Sequence, residues 1–353
     1  MNLEKYGYNA TLSQQLTPEI PAGLEPGRIL AEHKERYIVA CATGELDAEI
    51  TGNLRFTARS REDFPAVGDW VALTPYDDFA LIHAVLPRRS LISRQLPGHA
   101  GEVQVIAANV DVAFLLQAAD RDFSPNRLER YLTLCHTGKV KPVIVLTKTD
   151  LAGEELTHSL SASLRQRIPG TPVVALSNAT REGYEALAPF LGRGITGCLL
   201  GSSGVGKSTL LNNLAGHERM KTGVISESID RGRHVTTHRE LIVLENGGIL
   251  IDNPGMREVG ITDSEGGLEA TFAHIADLSK QCRFNDCRHI HEAGCAVIEA
   301  VSRGEIDPGA YENYLRLGRE KDHFEATLAE RRRKDKQFGK MVKEFKKRKE
   351  ERQ

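Results

Sequence analysis

Eight residues past the middle of the chain, Gly201-Ser202-Ser203-Gly204-Val205-Gly206-Lys207-Ser208, have the types and spacing needed to hold a phosphate chain. Gly, four residues, then Gly-Lys-Ser lies between an apolar run expected as a strand (195–200) and a run expected as a helix (207–214). The glycines let backbone N–H groups curl around an anion, and the helix adds unpaired N-terminal donors and the positive end of its dipole. Lys207 is expected to reach the β and γ phosphates and the Ser208 hydroxyl to sit on Mg2+, with Thr209 as a helper in the first helical turn. The loop alone does not choose between ATP and GTP.

Three further segments fit the same ligand. An apolar strand ends in Thr147-Lys148-Thr149-Asp150, where the Asp150 carboxylate can accept two hydrogen bonds from guanine, a donor pair that adenine lacks. Lys148 can lay its stem across the base or brace the phosphate loop, and Ser177, after a strand at 173–176, would contact the base carbonyl. Asp252-Asn253-Pro254-Gly255 follows a strand at 248–251; Asp252 would hold a Mg2+ water and Gly255 would offer an N–H to the γ-phosphate. Residues 231–238 occupy the place of a nucleotide-sensing loop, in which Thr236 or Thr237 would coordinate Mg2+; Thr237 is taken as the ligand. Taken singly, the Asp150 and Asp252 segments also read as ordinary loops and turns.

A second chemistry lies nearer the C-terminus. Cys282, Cys287, His289 and Cys295 supply four soft or borderline ligands, a set that suits a closed tetrahedral Zn2+ of structural rather than catalytic type. His274 and His291 are weaker substitutes for His289. Cys41, Cys135 and Cys198 stand alone in apolar surroundings and read as core residues, so the six cysteines point to a reducing compartment.

The elements that must position these residues are legible in outline. The chain has 353 residues, 40% hydrophobic and 27% charged, enough for two or three domains. Residues 1–24 are polar and expected as a flexible arm. Short β-type runs at 27–33, 37–43, 46–50, 69–74 and 80–85 predict a five-stranded oligonucleotide-binding (OB-fold) barrel over 25–90, although another small barrel would fit nearly as well. Residues 91–102 read as a linker. Buried strands alternating with helices over 103–265, with 103–117 taken as one strand region, predict an α/β domain with a mostly parallel sheet. Residues 266–329 hold the metal ligands, and 330–353 form a basic tail with 12 Lys or Arg against 5 Asp or Glu. That surplus of seven leaves the rest of the chain at a net charge of −9, so the tail, with Arg88, Arg89 and Arg94, is expected to meet a polyanion such as RNA. No run of 18 apolar residues and no apolar N-terminal stretch appears; no membrane association and a cytoplasmic location are expected.

The motifs come in an unusual order, with the base reader and Ser177 ahead of the phosphate loop, which a circular permutation explains. That order, the loop at 201–208, Gly232-Arg233-His234-Val235-Thr236-Thr237 and the cysteine set resemble the RsgA family of small-ribosomal-subunit assembly GTPases over nearly the whole chain from about residue 25. The resemblance implies an α/β P-loop GTPase core, circularly permuted, with an N-terminal OB-fold barrel and a C-terminal helical zinc-binding domain. It further implies a monomer that binds GTP or GDP with Mg2+, engages the 30S ribosomal subunit and its 16S rRNA during late maturation, and hydrolyses GTP when stimulated by that particle. Met256 stands where many GTPases keep a water-positioning glutamine, and the resemblance makes His234 the substitute catalytic residue beside Lys207. Thr147 replaces a common Asn and Val235 a common Thr, so the chain departs from the pattern at two points. The competing expectations are an RNA-binding module with a slow or structural nucleotide site, and an ATP-dependent enzyme.

Overall fold

The computed structural model describes residues 3–33, 36–96, 102–120, 122–216, 239–253, 260–261 and 266–350, with side chains through residue 327 and at 330 and 333. Near the N-terminus, α1 (Ala10–Leu16) precedes a small barrel made of β1 (Glu25–His33), β2 (Arg36–Ala40), β3 (Glu45–Ile50), helix α2 (Gly52–Thr57), β4 (Trp70–Pro75) and β5 (Phe79–Val85). The strands run β1-β2-β3-β5-β4 and close through a β1–β4 pairing, with only β3–β5 parallel. This is the closed five-stranded arrangement expected for an oligonucleotide-binding barrel.

β1 does more than close the barrel. Its first half, Glu25 to Arg28, pairs with β4, whereas Ala31 and Glu32 pair with a strand of the next unit, β12 (Arg239–Val243). The two units therefore share one hydrogen-bonded sheet. Beside this junction Arg28 is wholly buried, donating to the Tyr6 carbonyl and, at 2.9 Å, to Thr196 Oγ1, with its guanidinium 5.2 Å from the Trp70 ring centre. Burial pushes its pKa down to about 10, so the cation persists at neutral pH.

The arm expected to be flexible is instead docked over residues 3–24. Asn9 caps α1 by accepting from the Leu12 N–H at 2.9 Å, and Leu12 and Leu16, one helical turn apart, are buried against Trp70, Ala72 and Leu86. Residues 91–102 are likewise more than a linker. They contain β6 (Leu91–Gln95), which pairs with β7 (Val103–Ala108). The single strand expected over 103–117 is two, because Asn109 turns the chain with φ of 53° before β8 (Val112–Ala118).

The α/β unit continues with α3 (Pro125–Thr137), β9 (Lys141–Thr147), α4 (Thr149–Ala152), α5 (Glu154–Arg167), β10 (Val173–Ala175), β11 (Thr196–Leu200), α6 (Lys207–Ala215), β12 (Arg239–Val243) and β13 (Ile249–Asp252). The order β10-β9-β8-β11-β13 is parallel throughout, and β12 runs antiparallel to β13 at the barrel side. β8, β11 and β13 are buried along their whole length because both faces are covered. Ala113, Leu115, Cys198, Leu200, Ile249 and Ile251 join one apolar cluster with α3, while Phe114, Leu116, Leu199 and Leu250 join the other with α6. That two-residue alternation is the pleat made visible.

Four helices complete the chain: α7 (Gly267–Thr271), α8 (Ala273–Ser279), α9 (Ala296–Ser302) and α10 (Pro308–Glu350). They contribute Leu268, Ile275, Val297, Ala300 and Leu317 to the α3-side cluster. α7 approaches α3 closely at Gly267, where a Cβ would lie 2.1 Å from Thr137 Oγ1. Buried Glu129 of α3 accepts from Arg167 Nε at 2.7 Å and from Asn313 Nδ2 of α10 at 2.6 Å. The backbone of the expected basic tail continues α10 through Glu350. No helix among the described residues is long and apolar enough to cross a membrane.

If the arm is docked as described, Leu16→Ala should cost about 2–4 kcal/mol in chemical denaturation. A loss within error of zero would show that the arm contributes nothing to the core.

Candidate functional site

The phosphate loop, the strand end at Thr147 to Asp150 and Asp252 all emerge at the carboxyl edge of the parallel sheet, where such sheets bind ligands. β11 leads into the loop and α6 leads out. Gly201 and Gly206 take φ of 156° and 96°, and a Cβ at Gly201 would fall 2.7 Å from the Leu116 carbonyl oxygen. Only glycine accepts both demands. Val205 is buried, Ser202, Gly206, Ser208 and Thr209 are partly exposed, and Ser203 and Gly204 are exposed at the rim.

Lys207 is 6% exposed and donates to the carbonyls of Gly201 at 2.8 Å and Ser202 at 2.6 Å. Asp252, at the end of β13, is 4% exposed. Burial pushes Lys207 down to about 8 and Asp252 up to about 6; for each, the opposite charge of the other works against the shift. Both shifts thus have one cause, desolvation that outweighs mutual attraction. Beside them the Asn253 amide is buried with no hydrogen-bond partner for Oδ1 or Nδ2 among the described residues. A charged pair held dry and a polar group lacking partners fit a site built to receive a triphosphate and its divalent cation.

The base end is joined to this by direct bonds. Thr147, fully buried, donates from Oγ1 to the Val205 carbonyl at 2.7 Å. Ser177 donates to Asp150 Oδ1 at 2.7 Å, while its own Oγ accepts from the N–H groups of Ala179 and Thr180 at 3.1 Å. The Asp150 carboxylate is exposed and has no second partner among the described residues, which suits a group awaiting donors on a base. Lys148, with φ of 60°, pairs through Nζ with Asp120 Oδ2 at 3.0 Å.

Three residues of the site were not legible in the sequence. Asn178 donates to the Gly206 carbonyl at 3.0 Å. Arg127 grips Asp122 through two bonds of 2.7 and 3.0 Å and donates to Ser202 Oγ at 3.2 Å, so this pair braces the loop from α3. Neither feature has a local motif, since the partners lie 28 and 75 positions apart. Conversely, the expectation that Arg88 contacts RNA is corrected. Its guanidinium is engaged by buried Asp69 at 2.7 and 2.8 Å and by the carbonyls of Glu62 and Phe64, with 14% of the side chain exposed. Arg89 pairs with Asp111 at 3.5 Å and Arg94 donates to Gln104. His234, Thr236, Thr237, Gly255 and Met256 lie outside the described residues.

The metal ligands converge as their spacing predicts. The donor atoms of Cys282, Cys287, His289 and Cys295 lie within 4.8 Å of one another, with His289 Nδ1 3.4 Å from Cys295 Sγ and 3.6 Å from Cys282 Sγ. Three thiols and one imidazole in that geometry fit tetrahedral Zn2+, and His289 rather than His274 or His291 completes the set. Glu292 organises the loop between ligands. Its carboxylate accepts from the N–H groups of Arg288, Ile290 and His291 at 2.8–3.0 Å, which holds its pKa down to about 2. The Tyr311 hydroxyl of α10 donates to the His289 carbonyl, tying the centre to the long helix.

Two measurements test these centres. A raised Asp252 is protonated below about 6 and a lowered Lys207 is neutral above about 8, so kcat/KM for GTP should rise through the first value and fall through the second. A profile flat across both would refute the pair. Glu292→Ala should weaken zinc retention by about tenfold or more in competition with a chromogenic chelator; unchanged retention would remove Glu292 from the metal site.

Comparison with known proteins agrees with this geometry. Residues 85–262 match the RsgA GTPase family. The small ribosomal subunit biogenesis GTPase RsgA of Opitutus terrae is 42% identical over 331 residues, covering 91% of this chain and 90% of that protein. RsgA 1 of Bacteroides thetaiotaomicron is 39% identical over 350 residues, covering 99% and 98%. Among solved structures, YjeQ from Thermotoga maritima superposes with a TM-score of 0.62 at 28% identity, covering 84% of this chain and 98% of that one. YloQ, a circularly permuted GTPase, gives 0.61 at 26% identity, covering 85% and 96%. With its strand order, its phosphate loop bonded to Thr147 and its Cys3His cluster, the chain belongs to the RsgA family of circularly permuted GTPases.

Proposed function

We propose that this chain hydrolyses GTP to GDP and phosphate while bound to the immature 30S ribosomal subunit and its 16S rRNA, and that contact with the particle speeds the reaction. The observation that carries the reading is the bonding of base reader to phosphate loop, Asp150 to Ser177 at 2.7 Å and Thr147 to Val205 at 2.7 Å, in a chain of this family. Relatives that match over 90% or more of their length are named small ribosomal subunit biogenesis GTPases, which supports the partner.

Each residue has a role in this scheme. The backbone of Gly201 to Gly206 cradles the phosphates, Asp150 and Ser177 select guanine, and Lys207 exchanges its carbonyl partners for the β and γ phosphates. Ser208 and Thr237, with Asp252 acting through water, would hold Mg2+, which neutralises phosphate charge and orients the γ-phosphoryl group. Gly255 donates its N–H to the γ-phosphate. His234 positions the attacking water, because a thioether at Met256 cannot orient water by hydrogen bonding. The Cys3His centre keeps its zinc for structure alone. The barrel and the zinc module flank the GTPase core and face the ribosomal RNA, in the cytoplasm where subunits assemble.

The rival reading, an RNA-binding module with a structural nucleotide, is separated by one assay. Turnover is measured with and without purified 30S particles, beside Lys207→Ala as control. Stimulation of the unsubstituted protein by the particles, with the control at background, is the expected outcome. If neither condition exceeds the control, the hydrolase reading fails.

A further inference from the structure

The side chain of Asn178 sits where the base end and the phosphate end of the site meet. Its Nδ2 donates to the Gly206 carbonyl at 3.0 Å and its Oδ1 accepts the Tyr184 hydroxyl at 2.7 Å. From α6, Asn213 Nδ2 donates to the Asn178 carbonyl at 2.9 Å and to the Tyr184 oxygen at 2.8 Å. The direction of every bond in this ring follows from chemistry. A backbone carbonyl only accepts, so Asn213 presents its NH2 group. The Tyr184 oxygen, already accepting, gives its own proton to Asn178 Oδ1, and the NH2 of Asn178 is thereby turned toward Gly206. A Cβ at Gly206 would fall 2.4 Å from that nitrogen, so the close approach demands glycine as strictly as φ of 96° does.

The consequence lies in the peptide plane. The Gly206 carbonyl and the Lys207 N–H are opposite ends of one planar unit, and the carbonyl accepts two donors, the Leu210 N–H of the first turn of α6 at 2.9 Å and Asn178 Nδ2 at 3.0 Å, which together hold it outward and aim the N–H into the phosphate cradle. Thr147 does the same for the preceding unit, its bond to the Val205 carbonyl orienting the Gly206 N–H. Both donors are chain neighbours of base-reading groups. Asn178 follows Ser177 directly, and Thr147 stands three positions before Asp150.

We infer that Asn178 is a positioning residue, which works with the Leu210 N–H to aim the Lys207 amide at the phosphates and couples capture of guanine by Asp150 and Ser177 to the shape of the phosphate loop. The inference rests on the GTPase reading above and deepens it.

The test compares dissociation constants for GMP and GDP, whose ratio reads the grip on the second phosphate, together with thermal midpoints measured without nucleotide. An unsubstituted protein that binds neither would overturn the GTPase reading itself, and this inference with it. Given binding, Asn178→Ala should weaken GDP about tenfold while changing GMP less than about threefold, the effect of one lost hydrogen bond at the phosphate end. Asn178→Asp fills the same space but sets an acceptor against the Gly206 carbonyl, so it should collapse the ratio at least as far. Tyr184→Phe removes only the group that orients the amide and should shift the ratio the same way by a smaller factor. Equal weakening of GMP and GDP in Asn178→Ala, or the original ratio retained in Asn178→Asp, would overturn the assignment and leave Asn178 as packing. Should the alanine variant fail to fold, the other two decide the matter.

Discussion

A loop that turns its N–H groups inward to meet an anion must turn its carbonyls outward, and beside β9 and the loop after β10 outward is protein rather than water. Every such carbonyl needs a donor, since an unpaired buried one costs about 1–3 kcal/mol. Here Thr147 serves Val205, and Asn178 serves Gly206 beside the Leu210 N–H of α6, while Lys207 Nζ holds the Gly201 and Ser202 carbonyls until a phosphate takes it. The requirement explains features that otherwise look unrelated. It places a hydroxyl residue where an amide is common in GTPases, and it draws in a loop after β10 that carries Ser177 as well. The strand end at Thr147 and the loop at Ser177 and Asn178 lie close to the phosphate loop because they carry donors to its carbonyls.

The same constraint accounts for the tolerance of permuted order. β8 and β9 come before β11 in the chain, yet β8 lies beside β11 in the sheet, and the donors reach the loop through space. What the site needs is that strand ends meet at one edge of the sheet. The sequence in which the strands are made does not alter the bonds. Moving the chain start to the β6–β7 region leaves room for the barrel ahead of it, and Arg28, buried between Tyr6, Trp70 and Thr196, fixes the first residues of β11 to that barrel.

What could be read from the residues alone was whatever is encoded locally. The phosphate loop declares itself through glycine spacing between a strand and a helix, and the zinc ligands through four residues within fourteen positions. The strands of the sheet declare themselves through apolar runs, since both faces are covered. Features set by distant contacts were invisible. Leu12 and Leu16 look like any two apolar residues in a polar stretch until Trp70 is seen to cover them. Arg88 looks like a cation for RNA until Asp69 is found beneath it. β6 carries Ser93 and Arg94 and lacks the apolar density of a core strand, so its pairing with β7 decides its state. Asn178 had no signal at all, because its partner is a backbone carbonyl 28 positions away.

The divided edge of β1 has one more effect. An open sheet ends in two rows of unpaired backbone groups, each a template on which a strand from another molecule can add. By pairing with β12 over Ala31 and Glu32 and then curling into a closed barrel, β1 seals one of those rows. The other ends at β10, only Val173 to Ala175 long and preceded by Pro172, which has no N–H to offer. Among the described residues, the large sheet thereby keeps its free terminal edge short, at the three residues of β10.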